Sequence, residues 1–352
     1  MKLLLISPKM EKPNGGIAVW TNIYCEGSKG ADINLEILNT APLGKRAVNG
    51  SARRSLAVEV RRTFNIFKNL SRLLKQNRFD IVHLNTSCAT FGIVRDYLIA
   101  KKIKKAQPNA KIVLHYHCDI PAQIKRSFAK KYLGKLIRLC DQNLVLCESS
   151  RKYLLDEFST ESIKIPNFVS AELIASEKCI SDDLTRAFFV GRVSISKGVP
   201  EIYKIAAMNP GVTFSLAGAV SEEIASMEKP DNVELLGPMA HDDVIKKMDE
   251  ADVFIFPTHT EGFSLALAEA MARGLPAITT DVGANADMLE DLGGIICSVG
   301  DVDAFDDALH ALADSNVRRD MSRWSIEKVN ALYRIDRVMA SFISIYEKLL
   351  EE

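Results

Sequence analysis

The sequence predicts an α/β protein of two Rossmann-like domains, each a doubly wound parallel sheet. Three observations carry that reading. The first is length, because 352 residues are long for one domain and suit two of roughly 170 each. The second is alternation: short apolar runs recur at helix-length intervals, the pattern of parallel strands joined by crossover helices. The third is charge. Residues 1–180 hold 19 Lys and 11 Arg against 15 acids, a net of +15, and the remainder carries −15, so a formal net charge of zero hides two unlike halves. A basic first half suits an anionic partner, whether phosphate, lipid headgroup or nucleic acid.

The composition, 47% hydrophobic and 26% charged, is that of a globular protein and argues against disordered, collagen-like and coiled-coil classes. The seven cysteines are scattered without a CxxC spacing and lie mostly in apolar patterns, where Cys behaves as a small hydrophobe. A reducing cytoplasm fits them best. The apolar run at the start is too short for a signal peptide and reads as a first strand. No run of about eighteen apolar residues is present, so no membrane span is expected.

In the first half, strands are expected at 2–7, 34–39, 80–85, 111–117 and 143–147, with helices at 52–77, 89–105 and 120–139. Ligands of such sheets sit at the carboxyl ends of the strands. After the first strand, Asn14, Gly15 and Gly16 break the chain before a helix. Glycines there let backbone approach a bulky group, and the helix start offers amides; a plain turn is the other reading. GxGxxG is absent, so no dinucleotide fingerprint is supported. The fourth strand ends in His115, His117 and then Asp119. His-x-His can bind metal, yet no third ligand stands at motif spacing, so no metal site is expected. His117 is read as facing the site, with a hydrogen-bonded strand-end histidine as the alternative. His83 and Asn85, ending the third strand, and Asp119 are weaker candidates for an acceptor side.

Around 163–170 Pro166 stiffens a segment where the chain should cross between domains, and 171–185 extends the crossing. Strands follow at 187–191, 212–217, 233–236 and 252–256, then in PAITTDVG and GGIICSVGD. Asp301 reads as a helix N-cap, and 316–351 reads as helical. Arg192 and Lys197, five apart on a loop between strand and helix, make a clamp for a pyrophosphate, one cation forked and one a point charge. No GxxxxGK[ST] is present, so kinase and ATPase readings lose support.

The stretch 256–283 packs strand, loop, helix, turn and strand together. Its strand ends at Pro257, its helix runs from Gly262 to Arg273, Gly274 sits at a left-handed C-cap and Pro276 bars continuation. The helix opens with Ser264, Leu265 and Ala266, small or uncharged residues whose amides can meet a phosphate. Glu261 precedes this helix and Glu269 stands two turns along it. An ionised carboxylate only accepts hydrogen bonds, so Glu269 suits a ribose diol and Glu261 a second group of the same ligand. Either also reads as a solvated helix-start carboxylate.

Glu, seven residues, Glu, with EGF in front and EAMARGLP behind, closely resembles the retaining GT-B glycosyltransferases, glycosyltransferase family 4 in particular. The GR-x4-KG segment at Arg192 and Lys197, the glycine loop and the IPN segment, with Phe168 where the family usually has Gly, extend the resemblance over nearly the whole chain. It is strongest in 188–300. The resemblance implies a GT-B fold, two Rossmann-like domains facing a central cleft. Residues 1–165 would bind acceptor, 166–185 would link, 186–330 would bind donor, and a helix in 331–352 would cross back. It implies transfer of a sugar from a nucleoside diphosphate sugar, UDP- or GDP-linked, to an acceptor hydroxyl with retention, in polysaccharide or glycolipid synthesis, with no metal or other cofactor.

Residue by residue, the resemblance implies that Glu269 binds the ribose and that Glu261 sits by the donor sugar. Gly262, Phe263, Ser264 and Leu265 would lie along the donor, with Arg192 and Lys197 on the diphosphate. Gly15 and Gly16 would close over the pyrophosphate, Gly237 and Pro238 would lie near the base, and His117, followed by Asp119, would touch the sugar. His117, Arg192, Lys197 and Glu261 are thus the expected catalytic set. A non-hydrolysing nucleotide-sugar epimerase and an inactive GT-B partner subunit are the alternatives. The Glu pair with EGF argues against the first, and the intact Arg, Lys and Glu pair against the second.

Residues 45–78 hold ten basic residues (Lys45, Arg46, Arg53, Arg54, Arg61, Arg62, Lys68, Arg72, Lys75 and Arg78) against one acid, Glu59. Leu56, Val60, Phe64, Phe67, Leu70 and Leu74 recur every three or four residues as a stripe along a helix. The stripe packs on the sheet in one reading. In the other the basic helix lies on an anionic membrane surface, and many enzymes it resembles act on lipid-linked acceptors at the cytoplasmic leaflet. The expected partners are therefore a nucleotide sugar, a sugar or lipid-linked sugar acceptor and an anionic membrane, and no nucleic acid. The expected location is cytoplasmic, peripheral on the inner face of the plasma membrane.

Overall fold

The structure, a computed structural model, describes residues 1–11, 15–42, 56–290 and 292–352. They form two compact units, Met1–Asn167 with Ile335–Glu352, and Phe168–Arg334.

The first unit runs β1 (Lys2–Ser7), α1 (Gly16–Gly27), β2 (Asn34–Asn39), α2 (Leu56–Gln76), β3 (Ile81–Thr86), α3 (Thr90–Ala106), β4 (Lys111–Tyr116), α4 (Ile120–Gln123), α5 (Ser127–Ile137), β5 (Gln142–Val145), α6 (Glu148–Phe158) and β6 (Ile163–Lys164). Its strands form one parallel sheet in the order β2-β1-β3-β4-β5-β6. Leu3, Leu4, Leu5 and Ile6 of β1 are all buried, as a strand covered on both faces requires, which is why its sequence is a continuous apolar run. The order reverses between β1 and β3, and that divergence opens the carboxyl edge where the chain leaves both strands.

The first unit departs from three expectations. The helix expected over 120–139 is two helices, α4 with Pro121 in its first turn and α5. Between them the backbone leaves helical conformation at Ile124, whose side chain enters the core. Residues 163–164, read as the start of the crossing, pair with Leu144 and Val145 as the edge strand β6. The apolar stripe of α2 also divides. Leu70 and Leu74 enter the core together with Ile66, which lies outside the expected stripe, and Phe67 packs against it, whereas Val60 and Phe64 are 61% and 67% exposed. Lys45, Arg46, Arg53 and Arg54 lie outside the described residues, as do Asn14 and the side chain of Leu56.

The second unit runs β7 (Arg186–Val190), α7 (Val199–Met208), β8 (Thr213–Ala217), α8 (Glu222–Ala225), β9 (Val233–Gly237), α9 (His241–Glu250), β10 (Val253–Phe256), α10 (Leu265–Ala272), β11 (Ala277–Thr280), α11 (Asn285–Leu289), β12 (Gly294–Cys297), α12 (Val302–Ala311) and α13 (Ser315–Lys328). Its parallel order is β12-β11-β10-β7-β8-β9. β7 and β10 are neighbours although more than sixty residues separate them in sequence, so the loops that leave their carboxyl ends emerge side by side. Asp301 caps α12 through the Ala304 amide, as expected. The segment 171–185, read as an extension of the crossing, is bonded into this unit. Lys178 Nζ donates to the carbonyls of Met248 and Asp249 at 3.0 and 2.9 Å, and Asp252 accepts from the amides of Thr185 and Arg186, each at 2.9 Å.

The helical stretch expected over 316–351 is interrupted. A π-helical turn, Val329–Tyr333, follows α13, Arg334 is extended, and α14 (Ile335–Glu351) then begins. α14 belongs to the first unit and packs on α1. Tyr346 Oη lies 2.9 Å from Tyr24 Oη and 2.6 Å from His83 Nδ1. These contacts hold the last helix over β3 and α1.

Candidate active site

In the second unit the site grows from the paired ends of β7 and β10. After β7 the chain passes Arg192, makes one tight turn over Ile195–Lys197 and reaches Gly198 in the left-handed region (φ 72°). A side chain is excluded at Gly198, because a Cβ there would stand 1.9 Å from the Pro257 carbonyl oxygen. The loop after β7 is thereby pressed against the loop after β10, and the His259 amide donates to the Ser196 carbonyl at 3.0 Å.

That apposition brings Lys197 to Glu261. The Lys197 ammonium donates to Glu261 Oε1 as an ion pair, with the two side chains 25% and 15% exposed. It also lies 5.5 Å from the centre of the Phe256 ring. Thr258 Oγ1 donates to the same carboxylate oxygen at 3.3 Å. The Glu261–Gly262 backbone is backed by the loop after β11, where Gly283 (φ 59°) leaves no room for a side chain: a Cβ would meet the Glu261 carbonyl oxygen at 2.5 Å. Arg192 is exposed and forms no ion pair among the described residues. The expected clamp thus holds one cation anchored and the other unpaired.

At the start of α10, Ser264 is the N-cap and its Oγ accepts from the Leu267 amide at 3.2 Å. By helix geometry the Leu265 and Ala266 amides have no intrahelical acceptor. Phe263 is buried and packs edge-on against Tyr333 with ring centres 5.3 Å apart, so its side chain is part of the packing. Two turns on, Glu269 Oε1 lies 2.9 Å from His241 Nε2, with the histidine about half exposed and the carboxylate 17% exposed. The Glu269 carboxylate raises the His241 pKa above its ordinary value. His241 opens α9, just after Gly237 (φ 69°) and the exposed Pro238.

Sequence reasoning missed three side chains of this neighbourhood: His241, and the pair His259 with Glu201, whose Nε2 and Oε1 are 2.8 Å apart. Their only signal was a histidine close to a strand end. Among the described residues, no cluster of three or more His, Cys, Asp or Glu forms a metal-holding group.

The first unit gathers a second set at the ends of β3 and β4 and the start of α1. Gly15 (φ 107°), the N-cap residue of α1, and Gly16 are exposed, and Gly15 has no side chain with which to cap the helix. One turn on, the Trp20 ring lies 4.9 Å from that of His117, and the His115 and His117 rings are 4.1 Å apart, so the two histidines do share a face. His117 is half-buried. Burial pushes its pKa, and that of His83, down to about 3, and holds His115 well below the usual range. All three are neutral near pH 7. His83 and Asn85, expected weakly on the acceptor side, are interior. His83 is enclosed between Tyr346 and His115, and Asn85 Nδ2 donates to Ser7 Oγ at 2.9 Å. Neither offers surface for an acceptor. Asp119 accepts from Ser149 Oγ at 2.7 Å, which ties it to the start of α6.

Residues 172–328 match the family model of glycosyl transferases group 1, and residues 23–173 match that of glycosyltransferase family 4. The two matches overlap at residues 172 and 173 and together span 23–328. The chain belongs to the family 4-like GT-B glycosyltransferases. This glycosyltransferase is 24% identical over 303 residues, 80% of its own length and 83% of the other's, to an uncharacterized 41.2 kDa protein of the cps region of Klebsiella pneumoniae. It is 25% identical over 359 residues, 89% of each chain, to the UDP-Gal:alpha-D-GlcNAc-diphosphoundecaprenol alpha-1,3-galactosyltransferase of Escherichia coli. Its fold matches sucrose-phosphate synthase from Thermosynechococcus elongatus with a TM-score of 0.79 over 99% of both chains at 17% identity. The glycosyltransferase is therefore a two-domain GT-B protein with one Rossmann-like sheet in each unit.

Proposed function

We propose that this glycosyltransferase moves a sugar from a nucleoside diphosphate sugar, UDP- or GDP-linked, to an acceptor hydroxyl with retention of configuration, in polysaccharide or glycolipid synthesis. The observation that carries the reading is the meeting of Lys197 and Glu261 on adjacent loops where the second sheet reverses its strand order, with Arg192 unpaired on the same loop as Lys197. That is where open α/β sheets bind ligands.

The chemistry is charge management. As the glycosidic bond breaks, the leaving diphosphate gains charge and the sugar becomes oxocarbenium-like, so the groups that matter most are those strengthened by that charge. Arg192 offers a fork of donors, Lys197 a point charge held in place by Glu261, and the start of α10 its free amides. With these three the diphosphate is neutralised by protein, and no metal is invoked. Glu269 takes the ribose hydroxyls and Glu261 lies by the donor sugar, while His117, neutral at physiological pH, is the hydrogen-bonding group that the first unit offers to substrate. Attack by the acceptor on the face the diphosphate leaves needs no protein nucleophile.

A lipid-linked acceptor and a peripheral place on the cytoplasmic membrane face complete the proposal. The name of the Escherichia coli relative carries a UDP-linked donor and an acceptor on diphosphoundecaprenol. The exposed Val60 and Phe64 of α2 stand among exposed Arg61, Lys68 and Arg72, a combination suited to anionic lipid. Among the described residues no helix is long and apolar enough to cross a membrane.

A panel of nucleotide sugars tests the reading. The matching donor at a hundred times its dissociation constant should stabilise the protein by about 2.7 kcal/mol, and turnover should couple loss of that donor to glycosylation of an acceptor with the anomeric configuration kept. Inversion of the anomeric centre would remove the retaining assignment, and no response to any nucleotide sugar would remove the donor assignment.

A further inference from the structure

We propose that His241 is a positioning residue for the nucleoside: its hydrogen bond to Glu269 orients the carboxylate for the ribose and ties it to the loop that follows β9. This rests on the donor-site reading above, and it assigns a role to a residue outside the Glu pair and the Arg–Lys clamp.

An ionised Glu presents two oxygens with about four acceptor sites, and a ribose diol occupies only two of them. The side chain has three rotatable bonds, so a free Glu at the surface of α10 would lose rotamer freedom on binding. His241 Nε2 already lies 2.9 Å from Oε1, which spends one acceptor site to restrict those rotors before a ligand arrives. Restraint of that kind strengthens binding without a new ligand contact.

The placement of the histidine adds the second half. His241 is the first residue of α9 and follows the Gly237–Ala240 turn. Glu269 lies in the middle of α10, whose Leu267, Ala268, Ala270 and Met271 are buried and fix the helix against the sheet. A single hydrogen bond therefore joins a firmly packed helix to an exposed turn twenty-eight residues away in sequence. Among the groups facing His241, Glu269 and the neighbouring Asp242 are both acidic and favour its cationic form, which strengthens the bond to the carboxylate.

The test compares His241→Ala and His241→Gln with Glu269→Gln and the double variant His241→Ala/Glu269→Gln, using UDP and GDP as probes in titration calorimetry. Glutamine keeps an N–H donor at a similar reach, so it should restore most of the affinity. The expected result is three- to tenfold weaker binding for His241→Ala, the size of one modest hydrogen bond, near-wild-type binding for His241→Gln, and no further loss from His241→Ala in the Glu269→Gln background. Melting curves of the free variants should agree within about 2 °C, which separates positioning from unfolding. Weakening by Glu269→Gln with full affinity in His241→Ala would overturn the inference and leave the donor site standing. Equal weakening by His241→Ala with and without Glu269 would overturn it in the same way. Unchanged affinity in Glu269→Gln, or no binding of either nucleotide to the wild type, would overturn the donor-site reading and this inference with it.

Discussion

Arg192 and Lys197 look equivalent in sequence and are not equivalent in the fold. Lys197 is anchored by Glu261 and the Phe256 ring, whereas Arg192 is exposed and unpaired among the described residues. Replacing Arg192 with Ala removes a ligand contact and little else. Replacing Lys197 also leaves a mostly buried Glu261 carboxylate with Thr258 as its one side-chain donor among the described residues, and stripping one partner from such a pair is destabilising. Both variants should weaken nucleoside diphosphate binding and turnover roughly ten- to a hundredfold, the worth of about 1.5 to 3 kcal/mol for a charge-assisted contact. Only Lys197→Ala should also lower the melting temperature. Calorimetry and a melting curve on each variant check this, and wild-type activity in both would place the diphosphate elsewhere. Legibility at this scale was uneven. The residue types of the clamp, the Glu pair and Ser264 could be read, but His241 as the partner of Glu269 and Glu201 as the partner of His259 could not, because a hydrogen bond between segments far apart in the chain leaves no spacing rule behind.

At the scale of elements, the ends of β3 and β4 carry His83, His115 and His117 beneath α1 and α14, in contact with Trp20 and Phe342. In the folded protein burial holds His83 and His117 near a pKa of about 3, and His115 well below its ordinary range. In the unfolded chain all three titrate near 6.5. Above that pH they are neutral in both states and contribute no pH dependence. As pH falls below about 6.5 the unfolded chain takes up protons that the folded one refuses, so stability should fall by up to about 1.4 kcal/mol per pH unit for each ring until the folded values are reached. Urea midpoints measured from pH 7.5 to 5 should therefore drop steeply below pH 6.5. A flat profile would mean that the rings gain protons without unfolding the first unit. The strands and helices around them were legible because period and apolar content are local. The break between α4 and α5 and the short edge strand β6 were not, since each depends on what the segment packs against.

At the scale of the whole molecule, the basic first half bears on where the protein works. The described part of α2 shows which charges are available: Arg61, Lys68 and Arg72 are exposed, whereas the Arg62 guanidinium is half-buried, pairs with Glu59 at 2.9 Å and donates through Nε to the Thr40 carbonyl at 3.1 Å. Arg62 is thus built into the fold. The protein should bind anionic vesicles and not neutral ones, with salt weakening the binding, since each basic group near such a surface is worth about 1 kcal/mol. Reversing Arg61, Lys68 and Arg72 to Glu should abolish flotation with anionic vesicles, and replacing Phe64 with Ser should weaken it. Equal recovery on neutral and anionic vesicles, or none on either, would leave α2 as an ordinary solvated helix.

The sequence by itself determined the two-sheet α/β architecture, most strand positions to within a residue or two, and the candidate residues of the β7 and β10 loops. It could do so because strand burial, helix period, turn chemistry and the Glu-x7-Glu spacing are written within short windows. Only the tertiary structure decided that β7 lies beside β10 and that Gly198 must be bare for their loops to touch. It also turned His83 and Asn85 inward and Val60 and Phe64 outward. The physical reason is that strand order and side-chain burial are set by contacts between segments far apart in the chain, and those contacts have no period to read.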